Sequence, residues 1–127
     1  MNTINTQNAP KPVGPYSQAI EHNGFLFISG QIAINPKTQK FDANSSLIDQ
    51  TKQVLANITA ILHEAKCTTQ NIVKVEIFLT NISSFAEVNK LYEEFLEGHF
   101  PARQTVEVSA LPLNAQIEIS CIAVLNQ

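Results

Sequence analysis

The sequence predicts an α+β domain of element order ββαβαββ on three observations: an Asn-Gly dipeptide between two apolar runs, two segments with apolar residues at helical spacing, and β-branched runs around them. Residues 17–22 and 25–34 flank Asn23-Gly24, a pair that tolerates the positive φ of a two-residue type I′ turn, so they form a hairpin. After Asn35-Pro36, the apolar positions Leu47, Ile48, Thr51, Leu55, Ile58, Leu62 and Ala65 predict a helix over 45–66. Residues 72–80 read as a half-buried strand, with Val73, Val75, Ile77 and Leu79 on one face and Lys74, Glu76, Phe78 and Thr80 on the other. Ser84 with Glu87 makes a capping-box pattern, and Phe85, Val88, Tyr92, Phe95 and Leu96 predict a second helix over 85–97. Residues 103–109 alternate, and 116–125 read as a long strand beyond the loop at Pro112 and Asn114. A strand–helix–strand crossover in this order implies a mixed sheet with both helices on one face. The other face then needs cover, which a second copy of the chain would supply, so a homo-oligomer is expected.

The 127 residues suit one domain spanning 1–127, and 44% hydrophobic against 15% charged residues belongs to a compact globule. Net charge is −3, and seven scattered lysines plus Arg103 form no stripe able to neutralise successive phosphates, which argues against extended nucleic-acid binding. Cys67 and Cys121 lie far apart in no CxxC arrangement, so neither a disulfide framework nor a zinc site is indicated and a reducing compartment fits. Residues 1–12 carry no apolar segment of the signal-peptide kind, and no run approaches a membrane span, which makes the cytoplasm the expected location. His22, His63 and His99 show no metal-ligand spacing. No serine has a nucleophile-elbow context, no glycine-rich loop resembles a phosphate cradle, and neither cysteine has an activating neighbour. No metal and no cofactor are expected.

Two charged residues stand out. Arg103, the only arginine, shares a strand face with Thr105 and Glu107 directly after Pro101-Ala102, and its planar fork suits a carboxylate. The competing reading is a surface arginine paired with one of the many glutamates. Glu118 lies in a strand whose faces are both largely apolar, so it either faces a pocket, where desolvation would raise its pKa toward a useful base, or touches solvent at an edge. The small-residue stretches Gly14-Pro15-Tyr16-Ser17 and Ser29-Gly30-Gln31 allow close backbone approach to a ligand. Asn89 on the second helix and Tyr16 are ordinary as a solvated residue and a core aromatic.

Taken in order and spacing, Gly14-Pro15-Tyr16-Ser17-Gln18, Ser29-Gly30-Gln31, Val88-Asn89, Pro101-Ala102-Arg103 and Ile117-Glu118-Ile119 closely resemble the Rid (formerly YjgF) family of enamine/imine deaminases, over nearly the whole chain. The resemblance implies a chorismate-mutase-like fold assembled as a homotrimer with pockets at the subunit interfaces. It implies that Arg103 grips a substrate carboxylate with help from the Gly30 backbone, that Glu118 positions or activates water, and that Tyr16, Ser29 and Asn89 line the pocket. It further implies hydrolysis of 2-imino acids to 2-oxo acids and ammonium without a cofactor, removing enamines that would inactivate pyridoxal-phosphate enzymes. Other members are described as endoribonucleases, translation inhibitors or ligand-sensing proteins. This sequence departs from the common Pro-Ala-Arg-Ser-Cys run: Gln104 and Thr105 follow Arg103, so Thr105 is expected to line the pocket where many relatives place a cysteine. The stretch Glu97-Gly98-His99 also looks shorter than in close relatives.

Overall fold

The computed structural model describes residues 1–126. Its strands are β1 (Asn2–Ile4), β2 (Ala19–His22), β3 (Phe25–Gln31), β4 (Ile34–Asn35), β5 (Lys40–Phe41), β6 (Ile72–Leu79), β7 (Ala102–Glu107) and β8 (Ile117–Val124). Helix α1 (Leu47–Glu64) precedes β6 and α2 (Phe85–Leu96) precedes β7. Six strands form one sheet in the order β1-β2-β3-β8-β6-β7, and β4 pairs with β5 in a separate small hairpin. Only β6 and β7 run parallel, joined through α2, so the sheet is mixed as expected.

Local chemistry explains the elements. Asn23 and Gly24 have φ of 51° and 81°, the double left-handed geometry of a type I′ turn, and His22 pairs with Phe25 across it. Ser46 caps α1 by accepting the Asp49 N–H, and Lys66 at φ 59° ends it while the Cys67 N–H reaches back 2.8 Å to the Leu62 carbonyl. Val54, Ile58, Ile61 and Leu62 of α1 and Val88, Tyr92 and Leu96 of α2 bury their stripe on Leu26, Ile28, Val75, Ile77, Ile119 and Cys121 of the sheet. The opposite sheet face has no such cover: Phe25, Phe27 and Val124 are 41%, 43% and 38% exposed, and the two phenyl rings lie 6.1 Å apart.

Two local expectations fail for identifiable reasons. Val73 does not join the buried row; Ile72 pairs with Ala123 and Lys74 with Ile122, so one extra residue bulges out of β6 and Val73 turns outward while Ile72 is buried. Ser84 makes no side-chain cap, because a 3₁₀ turn over Ile82–Ser84 runs directly into α2 and leaves Ser84 near helical dihedrals. Asn81 caps that turn instead, accepting from the Ser83 N–H at 3.1 Å and the Ser83 hydroxyl at 2.6 Å.

Strand β1 and the β4–β5 hairpin are too short for their periodicity to be read. The chain after β1 is held by a side chain instead of a ladder: buried Gln18 donates to the carbonyls of Thr6 at 3.0 Å, Ala9 at 3.3 Å and Pro10 at 2.9 Å, and accepts from the Thr6 N–H at 2.8 Å. Pro10 and Pro12 bring no N–H of their own, so one amide satisfies the backbone around them. Gln18→Leu keeps the volume and strands these groups; it is expected to lower unfolding free energy by about 2–4 kcal/mol in a urea titration.

Candidate functional site

Glu118 projects from the face of β8 opposite the helices, level with Phe78 of β6. Beside it β3 carries a bulge: between Ile28, paired with Cys121, and Gln31, paired with Ile119, the segment Ser29-Gly30 holds one residue more than its partner strand. The carboxylate occupies the space this leaves. A Cβ on Gly30 would lie 2.7 Å from Glu118 Oε2 and 2.8 Å from its carboxyl carbon, so glycine is required here for room, since its φ is not left-handed. Burial raises the Glu118 pKa above the ordinary carboxylate value. Tyr16, Ser29, Gly30, Ile32, Ile34 and Glu118 line a cavity of about 380 Å³. Its wall is tied down from both sides. The Ser29 hydroxyl donates to the Ser17 carbonyl at 2.6 Å, the Tyr16 hydroxyl accepts from the Val13 N–H at 3.3 Å, and buried Asn57 of α1 donates to the carbonyls of Ile32 and Ile34.

Arg103 lies elsewhere. It pairs in parallel register with Val75, whose side chain is buried under the helices, so Arg103 points to the helix side of the sheet from the edge strand β7. There Nη1 donates to Asn89 Oδ1 at 2.8 Å, and Cζ lies 4.8 Å from the Phe85 ring centroid and 5.1 Å from that of Tyr92. Arg103, Asn89 and Tyr92, with Glu93, Leu96, Phe100 and Pro101, surround a cavity of about 470 Å³. Thr105, two residues on along the same face, has its Oγ1 enclosed without a partner among the described residues, as does the Tyr92 hydroxyl. Burial pushes the Tyr92 phenol up, against the lowering influence of the Arg103 charge, so it stays neutral.

The seven residues singled out from the sequence therefore fall into two groups on opposite faces of one sheet. Tyr16, Ser29, Gly30 and Glu118 converge; Arg103 and Asn89 converge with Thr105 nearby; the cavity at Glu118 does not include Arg103, and that at Arg103 does not include Glu118. The reading of Arg103 as a surface residue paired with glutamate is replaced by a pairing with Asn89 and two rings. In the sequence Phe85 and Tyr92 serve only to mark the apolar stripe of the second helix, although their spacing of four and three residues from Asn89 puts all three on one helical stripe facing β7. Both thiols are buried, and burial pushes Cys121 up to about 12, so the chain offers no activated cysteine among its described residues.

Comparison with known proteins adds the lineage. A family profile described as Endoribonuclease L-PSP matches residues 6–125. A solved Yersinia pestis structure described as YyfA, a protein of unknown function of the conserved Rid protein family, superposes with a TM-score of 0.94 at 50% identity, over 98% of each chain. The chain belongs to the Rid (YjgF) family. Among Rid relatives, the chloroplastic Reactive Intermediate Deaminase A of Arabidopsis thaliana is 44% identical over 96% of this chain and 65% of its own length. Escherichia coli TdcF, solved with bound serine, superposes with a TM-score of 0.92 at 34% identity, over 99% and 100% of the two chains. No helix among the described residues is long and apolar enough to cross a membrane.

The raised Glu118 pKa carries a sign. The folded chain holds this proton more tightly than the unfolded chain, so the group opposes folding increasingly as pH rises through the ordinary carboxylate range to the raised native value. Glu118→Gln is expected to be more stable than the parent at neutral pH, with the gain vanishing below the ordinary carboxylate range; urea midpoints at both ends check it. Gly30→Ala is expected to fold while displacing the carboxylate, which the NMR titration of the Glu118 side chain reads as a return toward the ordinary carboxylate pKa.

Proposed function

We propose that this chain is an enamine/imine deaminase, hydrolysing 2-imino acids such as 2-iminopropanoate and 2-iminobutanoate to 2-oxo acids and ammonium without a cofactor. The observation that carries the reading is the presence in one chain of an exposed guanidinium, without a charged partner among the described residues, and a desolvated carboxylate seated against a glycine bulge. Each is half of what the reaction needs. The guanidinium of Arg103 takes the substrate carboxylate in a charge-assisted fork worth about 1.5–3 kcal/mol, and the backbone at Gly30 approaches the ligand. The enamine tautomerises to the imine, which is attacked at C2 as the iminium. Glu118 accepts a proton from the attacking water and returns it to nitrogen, so the tetrahedral adduct collapses to the 2-oxo acid and ammonia, released as ammonium. A carboxyl group poised above its usual pKa serves both proton transfers, worth about 10²–10⁴-fold in rate. The relative named as a reactive intermediate deaminase and the relative solved with a bound amino acid both favour a small carboxylate-bearing substrate.

Because Arg103 and Glu118 face opposite ways, this chemistry requires assembly. We infer a homotrimer of single Rid domains spanning 1–127, in which the open faces bearing Phe25, Phe27 and Val124 pack together. The Arg103, Asn89 and Thr105 group of one copy then meets the Tyr16, Ser29, Gly30 and Glu118 group of the next. Burying those apolar faces is the physical reason for association. The family description also names an endoribonuclease. A net charge of −3 and one arginine at the site disfavour a phosphate-tracking groove, and RNA binding absent even at low salt would separate the two readings.

The test follows imine decay with 2-iminobutanoate generated in situ. Arg103→Ala and Glu118→Gln are each expected to lose activity by about 10²-fold or more while remaining folded. Mixing the two after co-refolding is expected to restore part of it, since some interfaces then combine an intact Arg103 with an intact Glu118. The double variant in one chain has no such rescue. An unchanged rate in folded Arg103→Ala would sink the proposal.

A further inference from the structure

Arg103 extends from an edge strand into an exposed position, where a long side chain ordinarily samples many rotamers and loses that freedom on binding. Here it is held before any ligand arrives. Asn89 takes one N–H at Nη1, and the two rings of α2 lie within 5.1 Å of the guanidinium carbon. Phe85, Asn89 and Tyr92 come from one stripe of α2, so a single helix face sets the plane, the position and one corner of the group. No other hydrogen bond to a described residue uses the Arg103 side chain, which leaves the Nε and Nη2 edge, the side that forks a carboxylate, free.

Tyr92 contributes through its ring. Its hydroxyl is sealed from solvent and has no partner among the described residues, so it is in no position to touch a ligand. The aromatic face lies toward the Arg103 guanidinium and lines the same cavity. We propose that Phe85 and Tyr92 are positioning residues of the carboxylate site, whose rings clamp the Arg103 guanidinium so that its free edge is preset for the substrate carboxylate. This rests on the deaminase reading for the identity of the ligand and adds the residues that make its anchor rigid. A ring attracts a guanidinium electrostatically and restricts its tilt, and a preset anchor binds more tightly because less freedom is lost on association. An aliphatic side chain of similar bulk fills the space without supplying the face.

Arg103 is the only arginine in the chain, so the Nε–H correlation of an arginine side chain is a single NMR resonance that reports this site alone. Two rings stacked on the group shift it upfield in the parent protein. The experiment compares the parent, Tyr92→Phe, Tyr92→Leu and Phe85→Leu by that resonance, by the Kd for 2-oxobutanoate, and by KM and kcat for 2-iminobutanoate. Tyr92→Phe is expected to match the parent in all three. Each leucine variant is expected to move the resonance downfield and to weaken the Kd and raise KM by about tenfold, with kcat nearly unchanged. A role confined to core stability would lower the yield of folded protein and leave Kd and KM alone, since the loss of a ring moves the resonance in either case. Phe85 is only half-buried, so Phe85→Leu keeps the test alive where Tyr92→Leu fails to fold. Leucine variants that leave the Kd and KM where they were overturn the proposal even if the resonance moves, as does a Tyr92→Phe loss equal to that of Tyr92→Leu. Parent protein that binds no 2-oxobutanoate and turns over no imine overturns the deaminase reading itself, a result distinct from binding that the variants leave unchanged.

Discussion

Successive side chains of a strand leave opposite faces of the sheet, and the two halves of the candidate site depend on this alternation. Val75, Ile77, Ile119 and Cys121 point toward the helices, so the register puts Arg103 with them and Glu118 with Phe78 on the open side. A one-residue slip in either strand would reverse this assignment and expose the core row, so the burial that stabilises the fold also determines where each charged group goes. The bulge at Ser29-Gly30 and the bulge at Val73 are the two places where the pairing departs from strict alternation. The first makes room for a carboxylate, and the second exposes a valine.

The two halves are stiffened by different means. Around Glu118, hydrogen bonds from Ser29 to Ser17 and from Asn57 to Ile32 and Ile34 hold the irregular backbone where a regular ladder is missing. On the helix side, aromatic faces and one amide hold Arg103. Both arrangements place an ionisable group at a concave surface without an ion partner among the described residues, a costly state in isolation and a useful one for recognising an ionic ligand. With Thr105 at the cysteine position and both thiols enclosed, the proton transfers proposed above use a carboxyl group and make no demand on sulfur.

Much of the fold is legible in the residues because it rests on local rules. Asn23-Gly24 specifies its turn through positive φ at both positions, and the apolar spacing of 47–65 and 85–96 specifies the helices to within a few residues. The capping pattern at Ser84 misleads because a preceding turn already occupies the dihedrals that a cap requires. Strand β1 and the β4–β5 hairpin escape notice because two or three residues carry no period, and their stability comes from pairing and from Gln18.

By itself the sequence determined the order of the seven longer elements, most of their buried faces, the single arginine, and a set of motifs matching the Rid family. These follow from local stereochemistry and from which residues are present at all. Only the tertiary structure decided that Gly30 is needed for the volume of Glu118, that Phe85 and Tyr92 stack on Arg103, and that Arg103 and Glu118 lie on opposite faces. Those facts depend on register between strands distant in sequence and on how α2 lies over the edge of the sheet, neither of which a local pattern encodes.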